Sequence, residues 1–186
     1  MIARLLRRPL AWVVLVVLVF GAGAGLYWFQ PWKLVTDREV NESLAVVPAL
    51  TGSPAPEPAV TASPSRPAVV RQGQFISHEH DTSGLARIVA HTDGSHVLEL
   101  VGLDTSNGPD LRVWLSDQPV RAGARGWHVF DDGTWVELGR LKGNKGDQTY
   151  AIPADTNLDR LTSAAIWCKR FSVSFGAASL EPAPSR

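Results

Sequence analysis

The sequence predicts an all-β domain, an antiparallel β-sandwich or barrel-like fold, preceded by one transmembrane helix and a Pro-rich linker. Three observations carry this. Twenty uncharged, mostly apolar residues run together from Leu10 to Phe29. Prolines crowd the stretch that follows. Beyond it, short apolar or alternating runs recur between turn signals, with no sustained helical period.

The apolar run reads LAWVVLVVLVFGAGAGLYWF. At about 1.5 Å per residue it spans roughly 30 Å, the thickness of the hydrocarbon layer. Arg4, Arg7 and Arg8 precede it, and Trp12, Tyr27, Trp28, Phe29 and Trp32 place aromatics at both interfaces. A basic flank stays inside. The expectation is a single-pass anchor in the cytoplasmic membrane: residues 1–9 a cytoplasmic tail, 10–29 the span, and the C-terminal domain outside. A signal peptide cleaved at Ala22-Gly23-Ala24 is the alternative, and it also places the domain outside.

Residues 30–71 hold Pro48, Pro54, Pro56, Pro58, Pro64 and Pro67 among Ala, Ser and Thr. Proline fixes φ and removes a donor, so this stretch reads as a semi-extended spacer. A short juxtamembrane helix over 36–50 is the alternative for its first part. The β domain is expected over 72–181, with a tail at 182–186.

Within the domain the expected strands are Gln74–Ser77, Ala86–Ala90, His96–Val101, Leu111–Ser116, Trp135–Leu138, Gln148–Ile152, Ala164–Arg170 and Phe171–Leu180. Turns fall at Asp93-Gly94, Asn107-Gly108-Pro109-Asp110, Asp132-Gly133 and Lys142-Gly143-Asn144. Leu111, Val113 and Leu115 alternate with Arg112, Trp114 and Ser116, the pattern of a half-buried strand. In the last segment Cys168 alternates in phase with Arg170, Ser172 and Ser174. An unbroken strand would send it to the more polar face, and a bulge near Lys169 would reverse that.

Composition excludes several functions. Basic and acidic residues number 18 each, so the concentrated positive surface that nucleic acid demands is missing. The one cysteine forbids an internal disulfide, and there is no CxxCH for haem attachment and no early lipobox cysteine. GxSxG, HExxH, P-loop and Rossmann fingerprints are missing too, which leaves enzymatic activity undecided. Asp104, Asp131 and Asp132 read as turn formers.

Gly73-Gln74-Phe75, Ser83-Gly84, Asn107-Gly108-Pro109-Asp110-Leu111, Val113-Trp114-Leu115-Ser116, Glu137-Leu138-Gly139, Leu141-Lys142-Gly143, Gly146-Asp147-Gln148, Tyr150, Ile152-Pro153 and Ile166-Trp167-Cys168-Lys169 occur in this order. This set resembles the DM-thirteen domain, also called the electron-transfer DM domain, over about 105 residues. The resemblance implies an extracellular β-sandwich and a redox or electron-transfer role centred on the cysteine.

Cys168 is therefore the candidate redox thiol, with Lys169 and Arg170 as cations that would favour its thiolate. The competing reading makes Cys168 a buried residue that packs like a small hydrophobe. His78 and His80, in His78-Glu79-His80-Asp81, have the spacing of metal ligands on one strand face, though such a stretch also reads as a solvated loop. No histidine follows Cys168 and the only methionine is Met1, which argues against a His2Cys copper site with an axial methionine. The sequence names no cofactor. Trp127, on a Gly-rich loop, is a candidate exposed contact.

Two functions follow. One is a membrane-anchored extracytoplasmic module with a redox role on Cys168, partnered by the membrane and a redox protein. The other is a non-enzymatic binding or adhesion module for a cell-envelope ligand, in which the cysteine is structural.

Overall fold

A computed structural model of the chain describes residues 9–46 and 66–183. The apolar run forms helix α1, Pro9–Phe29. Proline sits at its first position, where a missing N–H costs nothing. None of its residues is buried. By length and composition α1 is able to cross a membrane, and its place near the N-terminus is also that of a signal sequence. The helix stops at Gln30, whose left-handed backbone (φ 46°) is followed by Pro31 and a 3-10 turn over Pro31–Val35.

Among the described residues ten strands follow: β1 Glu39–Asn41, β2 Ala68–Ser77, β3 Thr82–Ala90, β4 His96–Thr105, β5 Leu111–Ser116, β6 Trp135–Arg140, β7 Lys145–Ile152, β8 Ser163–Cys168, β9 Val173–Ser179 and β10 Glu181–Pro182. They form one sheet in the order β1-β7-β4-β3-β2-β9-β8-β5-β6, with β10 beside β2. Strand β2 turns the corner of this sheet. Its residues from Ala68 to Gln74 pair with β3, and Phe75–Ser77 pair with β9. The sheet therefore curls into a half-barrel. Ile88, Leu98, Leu100 and Tyr150 from one half meet Val113, Leu115, Ile166 and Val173 from the other in a single core. The all-β, barrel-like expectation holds, and each expected run overlaps a strand, the last two extending into the turn between β8 and β9.

One expectation about facing is corrected, and one open alternative is decided. Strand β5 is not half-buried: Trp114 and Ser116, on its outer face, are buried as well. The loop between β5 and β6 folds over that face and lays Phe130 against Trp114, Trp167, Ala165 and Ala177. Burying one large apolar side chain contributes about 1.5–3 kcal/mol, so this second cluster pins the loop to the sheet. The last segment also breaks at Lys169–Ser172, where Ser172 takes φ 50°. Arg170 and Ser172 thus lie in a turn and not on the face of Cys168. Cys168 continues the alternation of Ala164 and Ile166 into the main core.

The spacer expectation also changes. Residues 36–46 lie along the domain. β1 pairs in parallel with β7, Val40 opposite Gly146. The Arg38 N–H donates to Asn144 Oδ1 at 2.7 Å, and Asn144 Nδ2 donates to Asp37 Oδ1 at 2.7 Å. Glu42 receives Lys142 Nζ on both oxygens at 2.8 Å and the N–H and hydroxyl of Thr149 at 2.8 Å each. The buried Glu99 binds Arg87 at 2.6 Å and accepts the Ala45 N–H at 2.7 Å. This strap needs close backbone approach. A Cβ on Gly146, which has φ 93°, would run into the Val40 carbonyl. Strand β2 also begins at Ala68, ahead of the expected boundary at 72. Both β1 and β2 belong to the domain, so the proline-rich connection, most of which lies outside the described residues, joins two of its strands.

The turn between β6 and β7 is held by Gln148. Its Oε1 accepts the Lys142 and Gly143 N–H groups at 3.1 and 3.2 Å and the Tyr150 hydroxyl at 2.8 Å, while Nε2 donates to the Gly143 carbonyl at 2.8 Å. The pattern Lys142-Gly143, Gly146-Asp147-Gln148, Tyr150 is thus the chemistry of one turn and of the strap that crosses it.

Candidate functional site

Cys168 ends β8, opposite Leu111 of β5 and Val173 of β9. Its solvent exposure is 0%, and it is free. Burial pushes the thiol up from its ordinary value. The N–H groups of Phe171, Arg170 and Asp110 favour the thiolate and pull the other way, and the carboxylate of Glu79 adds to the rise.

The two cations that the sequence set beside the thiol are engaged elsewhere. Lys169 Nζ reaches Glu137 at 3.3 Å. Arg170 donates to the carbonyls of Tyr27 and Trp28 at 3.1 and 2.6 Å and lies over the Trp28 ring. It satisfies the free carbonyls at the end of α1, where the helix dipole also favours a cation. Phe171 stacks on Phe29 with centroids 5.8 Å apart. The turn after Cys168 is therefore the seat of the end of α1.

His78 and His80 diverge. His78 is buried, shares a hydrogen bond with Ser174 Oγ at 2.9 Å and stacks on Phe130 at 5.8 Å. Burial holds it below its ordinary pKa, against the opposing pull of the Arg121 carbonyl. No well-formed hydrogen bond reaches its Nε2. His80 lies on Phe175 in the other core, with centroids 3.9 Å apart. Among the described residues no three His, Cys, Asp or Glu side chains converge as a metal site would require. Trp127 is not a free contact either: it packs half-buried against the main core.

A stack of indoles was not legible from the sequence. Trp135, 38% exposed, lies flat on Trp114 with centroids 4.0 Å apart and planes 3° apart. Trp114 lies 5.0 Å from Trp167, whose chain neighbour is Cys168. Trp114 Nε1 donates to Glu137 at 3.3 Å, and Glu137 also holds Arg112 at 2.7 Å. The signal was present as three tryptophans on three strands. Only the β6-β5-β8 order, which sequence spacing does not specify, puts them side by side.

The geometry is that of a β domain with a thiol sequestered in its main core, an aromatic stack on the opposite face of the same strand, and an apolar helix joined to it. The family model described as electron transfer DM13 matches residues 74–180, more than half of the chain, and the protein belongs to that family. No curated protein and no solved structure matched the chain.

Proposed function

We propose that this chain is a membrane-anchored, extracytoplasmic electron-transfer module whose path runs from Trp135 through Trp114 and Trp167 toward Cys168. Family membership supports a redox role. The observation that carries the path is the indole stack, with centroid steps of 4.0 and 5.0 Å from a half-exposed ring to the neighbour of the cysteine. Indole is among the side chains most readily oxidised by one electron. The proton its N–H then releases has the Glu137 carboxylate 3.3 Å away. The anchor reading rests on α1 and on the arginines before it, Arg4, Arg7 and Arg8, which favour an inside N-terminus.

The second reading is a binding module in which Cys168 is structural. The complete burial of the thiol and its raised pKa favour it.

Flash photolysis of the full chain in detergent separates the two, with a photogenerated ruthenium(III) polypyridyl as one-electron oxidant. The path predicts a neutral indole radical that decays by taking back an electron and a proton, the Cys168 thiol giving up both to become a thiyl radical. Cys168→Ala should lengthen the lifetime of the indole radical, and Trp114→Phe should slow thiol loss. Equal radical yield and lifetime in wild type and Cys168→Ala would leave the structural-cysteine reading.

A further inference from the structure

We propose that the cleft between residues 30–38 and the Asn107–Asp110 turn binds one anionic phospholipid from the membrane that holds α1. The proposal rests on the anchor reading. The cleft has two adjoining parts that share Lys33, Asn107, Gly108 and Pro109. One, of about 300 Å³, is walled by Phe29, Pro31, Phe171 and Phe175. The other, of about 530 Å³, presents Lys33, Arg38, Arg140 and Lys142. Apolar at one end and cationic at the other, it has the polarity of an anionic amphiphile.

The charge at the cationic end is under-neutralised. Lys142 is matched by Glu42. The exposed Arg38 makes no ion pair among the described residues, and Lys33 Nζ reaches only the Pro109 carbonyl, at 3.4 Å. Arg140, 71% exposed, meets Asp110 at 3.2 Å, but that carboxylate already takes Arg112 at 2.9 Å. Two carboxylates line the cleft, Asp110, already taken by Arg112, and Glu79 in the apolar part; against Lys33, Arg38 and Arg140 they leave a positive excess that a phosphodiester would neutralise.

The height is also right. The 21 residues of α1 span about 31 Å at the helical rise. A hydrocarbon core of about 30 Å is flanked by headgroup layers of roughly 5–7 Å. Phe29 then sits at the edge of the hydrocarbon, and Lys33, one 3-10 turn on, sits among the phosphates. Arg170 and Phe171 hold the domain at that height through Tyr27, Trp28 and Phe29.

The test is native mass spectrometry of the full chain in a neutral detergent, titrated with phosphatidylglycerol or with phosphatidylcholine of the same acyl chains. The wild type should retain one phosphatidylglycerol at least tenfold more tightly than phosphatidylcholine. The combined Lys33→Ala, Arg38→Ala and Arg140→Ala variant alters only solvent-reached side chains and should lose that preference. Equal retention of the two lipids, or an unchanged preference in the variant, would overturn the proposal. Displacement by inorganic phosphate as readily as by short-chain phosphatidylglycerol would reassign the site to a free anion. Alkaline carbonate extraction of membranes reports the anchor separately. Release of the chain defeats the anchor reading, whereas a retained chain with no lipid preference defeats the lipid site alone.

Discussion

Replacing Glu42 with glutamine should loosen the strap that ties residues 36–46 to the domain. The carboxylate takes four hydrogen bonds, two from Lys142 and two from Thr149. These bonds, that of Lys142 first, lower its pKa from 4.5 to about 2. A shift of that size corresponds to about 3.4 kcal/mol at about 1.36 kcal/mol per unit. About a third of the Glu42 side chain and two fifths of Lys142 face solvent, however. Screening at such sites cuts ion-pair energies severalfold, so about 1–2 kcal/mol is the expected loss. That is roughly a tenfold rise in the open strap. Hydrogen exchange of the peptide covering Arg38–Ala45 in the full chain reads this population directly. Because the folded pKa lies below the unfolded one, the stabilisation is complete above about pH 4.5 and fades as pH falls toward 2. The glutamine variant should lack that acid dependence. Exchange of the strap at unfolded-chain rates in the wild type, or unchanged exchange in the variant, would refute the docked strap.

Other perturbations probe other parts of the fold. Gly146→Ala places a Cβ against the Val40 carbonyl at φ 93° and should detach β1 at a cost of about 1–3 kcal/mol, read as faster exchange of the same peptide with β4 unaffected. Trp114→Ala removes the centre of the indole stack and should destabilise the domain by about 3–5 kcal/mol in urea unfolding. Folded Cys168 should react with a neutral maleimide far more slowly than the unfolded chain at pH 8, because it is buried and its thiol is held protonated. Arg170→Ala should speed proteolysis between Gln30 and Val35 while leaving the thermal midpoint of the β domain within a few degrees, since its bonds are to the exposed end of α1.

The strand positions were legible because alternation and turn residues are local signals. Leu111–Ser116 is expected and observed with the same ends. What was not legible depended on tertiary partners. The outer face of β5 is buried because a distant loop brings Phe130 onto it. Residues 36–46 read as spacer because their strand is only three residues long and its hydrogen bonds go to β7, more than a hundred positions away. The motif around Cys168 singled that residue out, and the structure places the flanking cations away from it. Lys169 and Arg170 follow it in sequence, yet the turn swings them to Glu137 and to the end of α1. The proximity of charges in sequence is a poor guide to their proximity in space once a strand ends.

The central claim is that Cys168 exchanges electrons. Its most direct test is an anaerobic oxidative titration of the full chain in detergent with a mediated one-electron acceptor, followed by a thiol count after unfolding. The wild type should give up about one equivalent more than Cys168→Ala and lose its thiol in the same range of potential. Superimposable titrations of the two proteins, with the wild-type thiol intact at the end, would contradict it.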